Sequence, residues 1–203
     1  MTVKVKYGVL FLLLIFSIAE LNAQKELQKK ERRTVLEKKN TLGTEFYLCF
    51  MKNYKDEEIR TSTNALQLEL FITARDSANV KIEIKDLEFS TETAVSPGTV
   101  QNVPINPKAQ IVTDEIPENL AVHVTSDNPI TVYGLNRRFQ TTDTYLGMPV
   151  HTLGKDYRVM CYTIYEGMVS EFAVIAVEDS TKVKITPTAN TTVHPAGIEY
   201  EVL

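Results

Sequence analysis

An all-β fold is expected for this chain, and three observations predict it. The first is a pattern written three times, an apolar strand followed by an acidic turn and a β-branched return. It occurs at 70-LFITARDSANVKIEI-84, 121-AVHVTSDNPITVYGL-135 and 172-FAVIAVEDSTKVKIT-186. The turn aspartates Asp76, Asp127 and Asp179 recur about every fifty residues, the span of one supersecondary unit in a repeat array. The second is strict alternation: Val80, Ile82 and Ile84 form one face of a strand while Lys81, Glu83 and Lys85 form the other. The third is that no stretch beyond residue 42 has the three-to-four-residue apolar spacing of a long helix.

The elements follow in order. The start, 1-MTVKVKYGVLFLLLIFSIAELNAQ-24, places Lys4 and Lys6 before an apolar run from Val9 to Ala19 and ends in Leu21-Asn22-Ala23. That arrangement predicts a signal peptide over residues 1–23, since the run is shorter than the roughly twenty residues a bilayer span requires. Export follows, to a secreted, cell-surface or periplasmic location, with no membrane span in the mature chain. Residues 24–42 form a basic linker or short frayed helix, with seven basic and three acidic side chains in 24-QKELQKKERRTVLEKK-39.

From Gly43 to residue 203 runs the expected all-β domain. Its first strand is 44-TEFYLCFM-51, apolar on both faces, and 52-KNYKDEEIRTSTN-64 is a polar loop. Ser96-Pro97-Gly98 marks a turn, and further strands are read at 109-AQIVTDEI-116, 156-DYRVMCYTIY-165 and 198-IEYEVL-203. With a strand before and after each hairpin, each repeat counts as four strands. About three four-stranded antiparallel units make a propeller-like partial array, incomplete at its C-terminus; a β-sandwich built from the same hairpins is the alternative.

Composition narrows the function classes. The chain is 203 residues, 43% apolar and 24% charged, which excludes disorder as a whole-chain description. Net charge is −4 although the linker is basic, so the β domain is acidic and repels phosphate backbones; nucleic acid is not an expected partner. Trp is absent, which argues against indole stacking on sugars or bases. Cys49 and Cys161 both fall in expected strands. An exported protein permits a disulfide between them, worth about 4–5 kcal/mol for so long a loop, and two buried free thiols are the other reading.

The blocks 121-AVHVTSDNPITVYGLN-136, 141-TTDTYLGMPVHTLGKDYRV-159 and 170-SEFAVIAVEDSTKVKITPT-188, with the opening 43-GTEFYLCFMKN-53, occur in the order found in a known family. As a set they resemble the amino-terminal domain of the IgG Fc-binding proteins. The resemblance runs from Gly43 to the end and implies a secreted, β-rich recognition or adhesion module. The family domain is longer than this chain, and no family site residue transfers to it.

Catalytic and metal chemistry find little support. His123, His151 and His194 stand apart, with no HExxH and no Cys-x-x-Cys, and there is no G-x-S-x-G for a serine nucleophile. The adjacent carboxylates Glu57-Glu58, Asp114-Glu115 and Glu178-Asp179 point apart on strands or turns, which makes them poor acid/base pairs. The acidic turns offer oxygen atoms to calcium, but no EF-hand or glycine-aspartate repeat accompanies them, and turn capping explains them. No cofactor and no catalytic residue is assigned.

The best binding candidate is the loop 136-NRRFQTTDTY-145, with Arg137, Arg138, Phe139 and Tyr145 as its contact residues. The expected function is non-enzymatic recognition of an extracellular protein or glycan. The alternatives are a non-catalytic accessory domain of an extracellular hydrolase and a structural surface spacer.

Overall fold

The computed structural model describes residues 22–30, 40–53, 65–139, 141–162 and 170–202. Residues 1–21 of the expected signal peptide, 31–39 of the expected linker, 54–64 of the expected loop 52–64 and the last part of the strand expected over 156–165 lie outside the described residues. The chain divides into two compact units, residues 1–40 and 41–203. In the first, residues 22–30 are helical and exposed. Among the described residues no helix is long and apolar enough to cross a membrane.

The second unit is built on strands β1 (Gly43–Leu48), β2 (Phe50–Met51), β3 (Gln67–Ala74), β4 (Ala78–Ile84), β5 (Phe89–Val95), β6 (Val100–Ile105), β7 (Gln110–Ile111), β8 (Val122–Arg138), β9 (Thr141–Leu146), β10 (Val183–Ile185) and β11 (Tyr200–Val202). Seven of them form one sheet, ordered β5-β4-β8-β3-β6, with β1 and β9 also paired to β8. The key to its shape is the 17-residue strand β8. Its first half pairs with β1 and β4, as in Val124↔Phe46 and Val124↔Ile82; its second half pairs with β3 and β9, as in Gly134↔Leu70 and Gly134↔Tyr145.

This pairing corrects the hairpin reading. β3 and β4 do not pair with each other: both run antiparallel to β8, one along each half, so 70–84 is a single long strand bent at Arg75–Ser77. β5 and β6 repeat the arrangement one strand further out, pairing with β4 and β3 respectively and bending at Ser96–Thr99. Asp127, expected in a turn, lies inside β8 at its exposed centre. Three long bent strands lie side by side, and their bends line up as a corner that curls the sheet into a half-barrel.

The third segment differs again. Over 172–186 only β10 is a strand, and it pairs with β11, Lys184 opposite Glu201. The described part of 156–165 makes no strand either. Among the described residues the pairing is therefore one curled seven-stranded sheet and two small two-stranded ones, β10-β11 and β2-β7, not three separate four-stranded units.

One face of the curl holds the core. Leu68, Leu70 and Ile72 of β3 continue past the corner as Val80, Ile82 and Ile84 of β4. They meet Val122, Val124, Ile130 and Val132 of β8 and Phe46 and Leu48 of β1, all at most 1% exposed. Burial at this level stabilises by about 1.5–3 kcal/mol per side chain, which is why the alternation in each strand fixes its register.

Candidate functional site

The side of the sheet opposite the core carries two unlike surfaces, one on each half. On the β5-β4-β8-β1 half the outward rows are charged. Glu92, Lys81, Thr125 and Glu45 lie in register across four strands, followed by Ser90, Glu83, His123 and Tyr47. Lys81 Nζ is 2.8 Å from Glu83 Oε1, and the Glu83 carboxylate holds the ammonium pKa above its usual value. His123 Nε2 lies 3.0 Å from Glu45 Oε1, and its ring stacks on Tyr47 at 4.3 Å and 9°. Burial, then the nearby carboxylates of Glu45 and Asp179, raises the Tyr47 phenol. A shallow groove of about 470 Å³ opens here, lined by Asn79, Lys81, Glu92, Thr93, Ser126 and Asp127.

The β6-β3-β8-β9 half is different. Phe71, Tyr133 and Leu146 stand directly opposite one another on adjacent strands, and Leu135 lies two residues along β8. Strand alternation continues this row from Tyr133 through Leu135 to Arg137, and Phe139 tips the hairpin just beyond. Tyr133 is 39% and Phe139 67% exposed, so the aromatic surface meets solvent.

The candidate residues of the sequence separate here. The segment 136–145 is a tight β8-β9 hairpin rather than an open loop, because Arg138 pairs with Thr141. Arg137 is outward and exposed. Arg138 is the next residue on a strand, so it faces the opposite way and is buried. Tyr145 also turns away from the outer face. It pairs with Gly134, and its hydroxyl donates to Cys49 O (2.5 Å) and accepts from Cys49 N (3.1 Å). Burial raises its pKa far above the usual phenol value.

Beside Arg138 the inward end of the hairpin is polar. Asn53 Nδ2 donates to Asn136 Oδ1 (2.8 Å), Thr141 Oγ1 donates to Asn53 Oδ1 (2.6 Å), and Asn136 Nδ2 and Gln110 Nε2 both donate to Met51 O. This network closes one end of the core and ties β2 and the chain after it to β8. Phe71, Tyr133, Leu135 and Leu146 were not singled out from sequence. They lie on the outward alternation of β3, β8 and β9, and the pairing of those strands that sets them side by side is not written in the local sequence.

The remaining candidates stay apart. Cys49 and Cys161 are free thiols, the first half-buried and the second exposed, so no disulfide joins them and neither lies in a strand. Burial pushes the Cys49 thiol up to about 11. His194 Nε2 is 2.7 Å from Glu115 Oε1, with its ring stacked on Tyr200 at 3.5 Å. Among the described residues no three His, Cys, Asp or Glu side chains gather as a metal site.

These features define an all-β scaffold that displays an aromatic and apolar row, set among Glu69, Asn102 and Thr144, beside a charged face. Residues 143–202 match the family described as IgGFc binding protein, the family that the blocks of the sequence resemble. A human relative, IgGFc-binding protein, is 30% identical over 164 residues, covering 78% of this chain. The chain spans 3% of that relative's length. No solved structure matches.

Proposed function

We propose that this chain is an exported, non-enzymatic recognition module that binds an extracellular protein through the outward face of the β6-β3-β8-β9 half-sheet. The observation that carries the reading is the in-register row Phe71, Tyr133 and Leu146, extended by Leu135, Arg137 and Phe139. Exposed aromatic and arginine side chains on rigid strands are the residue types that dominate protein-binding energy. A protein partner fits this face better than a glycan, because the row is apolar and the polar groove lies on the other half. The printed name of the human relative makes immunoglobulin G Fc the first partner to test. Kinship with that family and the amino-terminal signal-like sequence both support export.

The test is capture of immobilised immunoglobulin G Fc and of a panel of secreted proteins by the purified chain. Tyr133→Ala and Phe139→Ala are expected to weaken capture roughly tenfold or more. Lys81→Ala, on the charged face, leaves it unchanged. Equal losses from both faces, or capture that survives both aromatic substitutions, would overturn the assignment of this face.

A further inference from the structure

The segment 171-EFAVIAV-177 is among the most apolar runs of the chain, yet it lies outside every strand pair and all of its side chains but the half-buried Ile175 are exposed. Phe172 is 45% and Val174 53% exposed. Ser170 Oγ donates to Tyr162 O (3.1 Å), which brings the exposed Tyr162 to the start of the segment. A run that is apolar on both of its strand faces reads as a central strand, and unpaired it is a template for another strand.

We propose that this segment pairs antiparallel with the same segment of a second copy of the chain, on a two-fold axis through Val174. The sequence is self-complementary in that register. Val174 stands opposite its own copy, Phe172 opposite Ala176, and Ala173 opposite Ile175, so the two largest side chains, one on each face, each meet an alanine. The acids also avoid one another: Glu171 falls opposite Val177, and Glu178 falls opposite Ser170. Moving the axis one residue on, to Ile175, sets Phe172 against Glu178 and Glu171 against Asp179; moving it one residue back, to Ala173, sets Phe172 against Val174 and Glu171 against Ile175. The pairing satisfies the backbone groups of every other residue along one edge of the segment and covers apolar surface that one copy leaves in water. The resulting dimer is weak and concentration-dependent, because a two-stranded contact is marginal alone.

Sedimentation equilibrium of the full chain tests the proposal. A monomer–dimer equilibrium is expected, and Val174→Asp, an exposed change that leaves the core untouched, raises the dissociation constant roughly tenfold or more by setting like charges opposite one another. The register has its own readout. In a Cys161→Ser background, Val174→Cys forms a covalent dimer on oxidation and Val177→Cys does not. A chain that stays monomeric at high concentration, a dimer indifferent to Val174→Asp, or cross-linking at position 177 and not at 174 overturns it.

Discussion

The Tyr145 hydroxyl both donates to the carbonyl and accepts from the amide of Cys49, the residue at the break between β1 and β2. Two backbone groups that have left one ladder and not yet entered the next are satisfied by one side chain. Space for the ring comes from Gly134 across the ladder, where a Cβ would lie 2.8 Å from Tyr145 Cε1. Glycine in a strand interior weakens it, and an aromatic ring laid over the gap restores the lost packing. Tyr145→Phe keeps the ring and deletes the hydroxyl. It is expected to destabilise the fold by about 1–3 kcal/mol, because both Cys49 groups then lose a partner. Urea unfolding followed by tyrosine fluorescence measures this, and an unchanged midpoint would show that water replaces the hydroxyl at no cost.

At the scale of elements, the corner shared by the three long strands explains what the sequence revealed and what it concealed. Asn79 donates from its backbone N (2.8 Å) and its Nδ2 (2.7 Å) to the two oxygens of Asp127, while Asn128 Nδ2 reaches Ser77 O (2.9 Å). Ser96, Pro97 and Gly98, the last at φ 73°, bend the outer strand beside them. Bending a strand and reversing it demand the same residue types, those that leave the extended region cheaply or cap a freed backbone group. The strands and their inward faces were therefore legible from alternation, at Leu68, Leu70, Val80 and Ile82 among others, while their partners were not. Asp76 and Asp127 looked like hairpin turns because local chemistry cannot distinguish a corner from a reversal. The true reversals are at Lys85–Glu88, where Glu88 takes φ 48°, and at Phe139. The same error placed Arg137 and Arg138 together on a loop, although strand geometry sends them to opposite faces.

That corner is also sensitive to acid. The Asn79 donors hold the Asp127 carboxyl below its usual pKa, so the folded state favours the ionised form. A depressed folded pKa contributes stability above the unfolded value, roughly 3.9, and loses it as pH falls through the folded value. The native protein should be more stable than Asp127→Ala at neutral pH, with the gap closing below about pH 4. Thermal melts of both proteins from pH 7 downwards check this; a gap that stays constant into acid would mean that the charge on Asp127 is not what binds the corner.

Across the whole second unit, stability and family likeness are distributed differently. Among the described residues the largest fully buried side chains lie between Phe46 and Ile130, and none beyond Leu153 is buried. The matched stretch 143–202 straddles that divide. Its first part belongs to the body: Gly147 N donates to Val132 O (2.8 Å) and Pro149 bridges to Phe46. The remainder is tied on by contacts such as His194 with Glu115 and contributes no core. Opening free energy follows buried apolar contact, so the later part opens at little cost while the curled sheet stays closed. Lys155 and Arg158 are exposed in that part, and brief trypsin treatment is expected to cut there before cutting within β3, β4 or β8. The fragment ending near Lys155 should retain one cooperative thermal transition close to that of the intact chain, followed by circular dichroism. It should also keep capture through Tyr133, because the aromatic face lies wholly within it. A fragment that unfolds on cleavage would mean that the later residues support the sheet through contacts other than burial. A folded fragment that no longer binds would place part of the recognition surface beyond the half-barrel.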